Sequence, residues 1–538
     1  THTHTHTHTH THTHTHTHYH THTLPHTLTL ASSVLDPTRA GGGILSDPTN
    51  TALVIFWGQF GVDHDLSFTL SNTSVGSTSC VEPFNISIPR GDPRFDPTGT
   101  GTKTMFFCRA NYIAGTGTSA ANPRQFTNIL TPIFDGSQVY GESESRALLL
   151  RTLQGGLLKT SLGADGEFPP LNTFGGSSVM MNMGNDANVS PLSSLYAAGD
   201  LRANEQPILF ALHTLMIREH NRRARLISAR DPSKTDEQVF QEARRMVIGH
   251  IQAITKNEWF PAFVGGSMGP YQGYQQGLNP QVDVFFSTAA MRTGHDGIPS
   301  VVLRVDAEGN EIPRGHLLLR DAFFKPNLTV ETGITATLRG AALNPAQLMD
   351  AIFVPDIRDF LFSLQANLAF DLGSRNLQRG RDLGLPGYNT IRAAYGLPTC
   401  TTFQCVAENQ TVASRLEALY NGNIDDLDPF IAGVSERKRP GEKVGELFAT
   451  AITEQLNRVR HADKWWYENL YSSSDPIFQE LERTTLGDII RRNTDAKEIR
   501  SNVFKQNTNP VIRPKRHPAN TINFVFDGML GAPNTNRR

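Results

Sequence analysis

The chain has few cysteines, almost no net charge and no long apolar run, and each shortage excludes something. Its four cysteines are Cys80, Cys108, Cys400 and Cys405, and none forms the CxxC pair of a zinc site. With 49 basic and 51 acidic residues, the formal charge is −2. That lacks the basic excess of a nucleic-acid binder or a polybasic membrane-surface protein. No run approaches the roughly 18 apolar residues of a transmembrane helix. A soluble globular protein is expected. The chain begins with Thr1 rather than Met and shows no secretory leader. We expect a fragment or a processed form, and the missing leader then excludes nothing.

Against these shortages stand five Asn-X-Ser/Thr triplets, at Asn72, Asn85, Asn188, Asn327 and Asn409. Together with an even cysteine count they predict a secreted, glycosylated, disulfide-bonded protein. Cys80–Cys108 and Cys400–Cys405 are the expected bridges, although sequence alone leaves the pairing open.

Residues 1–30 are a Thr-His low-complexity tract that holds 12 of the 20 histidines. A translated ACA-CAC repeat gives this alternation, and Tyr19 fits one base change. The tract is expected to be a gene-model artefact, or disordered where it is made. Residues 31–538 read as one large, mainly α domain. Helical periodicity is clear at 208–227 and 236–254, and again in PAQLMDAIF, VGELFATAITEQLNRVR and TLGDIIRRNT. SVVLRVD and EIP predict a small hairpin, and the Gly/Pro-rich stretches 87–103 and 155–188 predict surface loops.

Four stretches carry chemistry in combination: VDHD, AAGDLRANEQPILFALHTLMIREHN, MRTGHDGIPS and LGSRNLQRGRDLGLPGYN. In this order they resemble the animal haem peroxidase family, which includes myeloperoxidase, peroxidasin and the peroxinectins. LTPIFDGSQVYG and WWYENL add to the likeness, which covers nearly everything after residue 35. The resemblance implies a single mainly α domain with few short strands and haem b buried between helices. It also implies a peroxidase that reduces hydrogen peroxide with small electron donors.

Residue by residue, the resemblance makes His295 the axial ligand of the haem iron and Asn376 the partner that fixes its tautomer, through an amide oxygen accepting the ring N–H. His64 becomes the base that moves a proton between the peroxide oxygens, and Arg202 the cation that stabilises the leaving one. Asp63 and Glu205 match carboxylates that form ester links to haem methyls. Gln206 stands where myeloperoxidase has a methionine that forms a third link, so a sulfonium bond is not expected. Bromide, iodide, thiocyanate or phenols are then better donors than chloride. Arg292 and Arg379 match the propionate partners. Asp65 with Thr131, Ile133, Asp135 and Ser137 matches a Ca2+ site, a set of hard oxygens suited to that ion.

The sequence departs from the family at Gln59. The family has this glutamine four residues before the distal histidine, whereas here it stands five before His64. One added residue turns an α-helix by about 100°. The helix bulges near Gly61, Gln59 leaves the pocket, or a splice boundary is wrong. His213, Glu219 and His220 lack an HExxH pattern and read as structural. Two rivals remain. Arg90-Gly91-Asp92 fits an integrin contact, as in a peroxinectin-like adhesion protein, and the same fold could serve as a catalytically weak matrix scaffold. A fatty-acid dioxygenase is a third alternative, disfavoured by the paired ester carboxylates Asp63 and Glu205.

Overall fold

The computed structural model describes residues 27–36, 44–71, 80–173, 180–365, 367–407 and 409–506. Among them helices dominate, and the strands form only two-stranded ladders. The long helix Pro207–Arg230 lies at the centre. Gln206 caps it by accepting from the Ile208 N–H, and Pro207 fills the first position, where a missing N–H costs nothing. Every residue from Pro207 to Asn221 is buried, so this helix is covered on all sides rather than on one stripe. Helix Asp236–Ile254 follows after a short turn. Its capping box, Thr235 with Gln238, satisfies both ends of the cap reciprocally, and it packs against its predecessor.

The distal helix starts at Ala52–Trp57, where every side chain is buried, and runs through Gly58–Asp63 into His64–Leu66. Its middle section is π-helical: the His64 N–H reaches back five residues to the Gln59 carbonyl. A second π-segment, Thr255–Trp259, packs against it. Two indole bonds tie the pair together, Trp57 Nε1 to Thr255 Oγ1 at 3.1 Å and Trp259 Nε1 to the Val54 carbonyl at 2.8 Å. A β-carbon on Gly61 would lie 2.8 Å from the Trp57 ring, so the wide turn requires glycine there.

Both expected disulfides are present, Cys80–Cys108 and Cys400–Cys405. The helices expected at 208–227 and 236–254 form, as do those in the VGELF and TLGDI stretches, at Glu446–Ala462 and Leu486–Asn493. Four expectations need correction. Residues 27–30, placed in the low-complexity tract, open the helix Thr27–Val34, because Leu28 and Leu30 bury completely against the body of the protein. Residues 1–26 of that tract, and 507–538 at the other end, lie outside the described residues. PAQLMDAIF is not helical. Pro345–Gln347 pairs as a strand with Ser46–Thr51, and Ala351 adopts a positive φ of 72°. Its apolar spacing serves burial in an irregular path, where periodicity cannot separate a helix from other buried chain. The 155–188 stretch contains a hairpin, Ser161–Gly163 with Gly166–Phe168, closed by a two-residue turn. The SVVLRVD strand pairs at Val301–Val302 with Leu317–Leu318, and meets the EIP stretch only at the Val305–Glu311 bridge.

Candidate functional site

One cavity of about 360 Å³ collects residues from four separate stretches. The distal helix contributes Gln59, Asp63 and His64, and the loop before the central helix contributes Arg202 and Glu205. The turn Ala290–His295 supplies Arg292 and His295, and helix Leu372–Asp382 supplies Asn376 and Arg379. These are the nine residues singled out for haem chemistry, brought together from across more than 300 positions of sequence.

The π-turn decides the fate of Gln59. With a hydrogen-bond span of five residues, positions 59 and 64 share a face that an α-helix would have split. Gln59 therefore stays at the cavity, where its amide N–H donates to a Glu205 carboxylate oxygen. Gln206, one residue on, uses its side chain as the helix cap. Phe60, which takes the register position expected of the glutamine, is fully buried and meets His213 edge-on, with ring centroids 4.9 Å apart.

His64 is buried, and burial followed by the Arg202 charge lowers its pKa well below the ordinary histidine value. It is neutral at physiological pH and free to take a proton. Its Nδ1 faces Asp200 at 3.7 Å. Asp200 also binds Arg202, at 2.7 Å through Nη2 and 3.0 Å through Nε, and this keeps the Asp200 carboxyl well below its usual range. Arg202 reaches Asp63 with its other nitrogen at 3.1 Å and lies over the Phe68 ring. The guanidinium is therefore fixed on three sides. Sequence reading missed Asp200, although it lies two residues before Arg202 inside a motif already in view. Glu205 behaves differently: burial pushes it up to about 7, opposed by the Gln59 hydrogen bond.

His295 and Asn376 meet side chain to side chain. The amide nitrogen, not the oxygen, lies 2.9 Å from His295 Nδ1. The donor end therefore faces an unprotonated Nδ1. Ligation through Nε2 needs the opposite amide end, which a half-turn of the side chain supplies at the same position. Burial and then Arg292 lower the His295 pKa to about 3, so the ring is neutral and suited to bind a metal.

Asp65 is fully buried one residue beyond His64. It accepts from the Ser137 backbone N–H at 3.0 Å, the Ser137 hydroxyl at 3.2 Å and the Gly136 N–H at 3.3 Å. Asp135 accepts from the same Ser137 N–H at 2.9 Å, while the Thr131 hydroxyl lies 3.3 Å from the Ile133 carbonyl. Burial and then the Asp135 charge raise the Asp65 pKa well above the usual carboxylate value. Two crowded carboxylates with hydroxyl and carbonyl oxygens nearby make a donor set that fits a hard divalent cation.

The Arg90-Gly91-Asp92 loop is on the surface, and its side chains are in use locally. Asp92 accepts from the Arg94 and Phe95 N–H groups, and Arg90 donates to the Gly99 carbonyl. His220 is held between the Tyr140 hydroxyl and the Gly156 carbonyl, and Glu219 between Arg222 and Arg223, in keeping with structural roles.

This constellation defines a haem-dependent oxidoreductase of mainly α fold, and comparison with known proteins agrees. The family model for animal haem peroxidase matches residues 5–504, and the chain belongs to that family; it is a haem-binding peroxidase. It is 33% identical to peroxinectin A of Dictyostelium discoideum over 486 residues, covering 87% of this chain and 88% of that one. It is 34% identical to thyroid peroxidase of Sus scrofa over 494 residues, 86% of this chain but 53% of that longer protein. The solved structure of peroxidase A from Dictyostelium discoideum superposes with a TM-score of 0.81 at 31% identity, over 90% of this chain and 91% of that one. A fatty acid alpha-dioxygenase from Oryza sativa shares the fold, with a TM-score of 0.70 at 18% identity over 90% of this chain and 80% of that one. Among the described residues, no helix is long and apolar enough to cross a membrane.

Proposed function

We propose that this peroxidase is a secreted, calcium-binding enzyme that reduces hydrogen peroxide and oxidises halides, pseudohalides or phenols on a covalently held haem. The observation that carries the reading is the convergence of His64 and Arg202 with the His295–Asn376 pair on one cavity. When bound, the haem iron supplies the redox centre through which two electrons pass from donor to peroxide. His64, neutral and buried, takes a proton from one peroxide oxygen and returns it to the other, so that the second leaves as water. Arg202, held by Asp200, stabilises charge on the leaving oxygen without needing to reorient. His295 is the residue to hold the iron, with Asn376 setting its tautomer.

Asp63 and Glu205 are the carboxylates for ester links. Both line the cavity, and linkage would remove two ionisable carboxyl groups there while leaving Arg202 paired to Asp200. Gln59, bonded to Glu205, is placed to order the pocket's polar groups. Calcium at Asp65, Thr131, Ile133, Asp135 and Ser137 would pin the end of the distal helix to another segment and so steady His64. Secretion is supported by two disulfides and by the exposure of the sequon residues Asn85, Asn188, Asn327 and Asn409. Asn72 lies outside the described residues. An absorption spectrum of secreted protein from haem-supplied cells, before and after one equivalent of peroxide, followed by acid-acetone extraction, tests the reading. A Soret band that shifts with peroxide, and haem that resists extraction, is the expected result. Extractable haem would sink the ester links, and a folded chain without a Soret band would sink the enzyme.

A further inference from the structure

Besides Arg202, three guanidinium groups line the cavity: Arg292, Arg379 and Arg375, the last of which matches no expectation from sequence. They differ in what holds them. Arg379 is ion-paired to Asp382 at 2.7 Å, and Asp382 also takes Arg109. Among the described residues, Arg292 makes only a 3.3 Å hydrogen bond from Nε to the Ser287 carbonyl, and Arg375 only a 3.4 Å one from Nη1 to the Phe106 carbonyl. Among the described residues, no carboxylate lies within 4.0 Å of either. Arg375 and Arg379 stand one turn apart on helix Leu372–Asp382 and flank the Phe107 ring, at 5.9 and 4.3 Å from its centre. Arg375 also lies 4.5 Å from the Phe370 ring. Aromatic faces hold such a group in place without neutralising it.

Burial lowers the Arg375 pKa, opposed by the Asp186 charge and reinforced by the smaller effect of Arg292, and burial lowers Arg379 to about 10. Partly buried cations without counter-ions are costly, and an anion entering the cavity removes that cost. Planar guanidinium groups match carboxylates best.

We propose that Arg375, together with Arg292, anchors the carboxylate edge of the bound porphyrin, and that Arg379 is committed mainly to Asp382. The inference rests on the haem reading above and adds a binding residue to it.

The test uses the full chain from haem-supplied cells as wild type, Arg375→Leu, Arg375→Lys and Arg379→Leu. Haem per chain is counted as the pyridine haemochrome, and resonance Raman reads the propionate bending band, which responds to hydrogen bonds on that carboxylate. Arg375→Leu is expected to move the band and to lower haem content by roughly 10-fold, the loss of one charged hydrogen bond. Arg375→Lys should recover part of both, and Arg379→Leu should move the band less. A band in Arg375→Leu that coincides with wild type overturns the proposal, whatever the haem content, since packing alone can change occupancy. So does a larger band shift in Arg379→Leu. If Arg375→Leu does not accumulate, Arg375→Gln is read by the same band and the same criteria. Wild-type chain without any Soret band is a separate result: it removes the haem reading itself and the proposal with it.

Discussion

The two sides of the cavity are built on opposite electrostatic plans. Around His64 the polar groups are partnered before any cofactor arrives: Arg202 lies between Asp200 and Asp63, and the neutral Gln59 amide binds Glu205. Around His295 there is one neutral hydrogen bond, to Asn376, and two arginines without carboxylate partners among the described residues. The first plan suits groups that must keep a fixed position while charge moves past them. The second suits groups whose partner is brought in from outside. A preorganised acid-base pocket should therefore lose rate when cut, while the anchoring side should lose occupancy or tuning.

The largest effect should come from His64→Leu. Removing the proton carrier is expected to lower kcat/KM for peroxide by about 10²–10⁴-fold while the Soret band remains. Arg202→Leu should cost about 10²–10³-fold in the same stopped-flow measurement. Loss of the Soret band in either variant would break the contrast between the sides. Asn376→Leu should cost about 10–100-fold and also shift the haem reduction potential, which the distal variants should move less. Because burial and Arg202 lower the His64 pKa, its basic form persists below the ordinary histidine pKa of 6.5. The peroxide reaction should stay flat from neutral pH down through 6.5 and fall only in more acid solution. A drop centred near 6.5 would contradict this.

Smaller effects concern the supports. Asp135→Asn, or removal of calcium by a chelator, should lower the melting temperature and slow the peroxide step together, because both act through the segment bearing His64. Gly61→Ala forces a methyl against the Trp57 ring and should destabilise the fold by about 1–3 kcal/mol in denaturant titration. The mildest test lies outside both regions. Burial raises Glu258 to about 8, while its Oε1 accepts from the Leu486 N–H. The folded state therefore keeps a proton that the unfolded chain loses near its ordinary value of 4.5. Its stabilising contribution fades as pH rises from 4.5 through 8. Glu258→Gln should match wild type at pH 5 and melt higher at pH 8.

Much of this was legible in the sequence because it depends on residue type at short range. The caps of the central helices, the VDHD stretch and the RTGH turn are local patterns. The residues placed at the cavity by resemblance do all line it. What escaped depends on distance in space. Asp200 acquires its importance by facing His64, and Arg375 by lacking a carboxylate partner among the described residues, and neither fact is visible along the chain. The irregular path of PAQLMDAIF escaped because a strand from residues 46–51 claims its first part. The fate of Gln59 turned on a hydrogen-bond span that composition does not specify.

That span has a consequence for how such chains can change. A helix that counts by its closing bond, here five residues instead of four, takes up one additional codon locally. The displacement is spent within a single turn, so everything after Asp63 stays in frame with everything before Gly58. Glutamine and histidine can therefore line one cavity at a spacing of five as the wide turn sets it, without the four-residue interval of an ordinary helix.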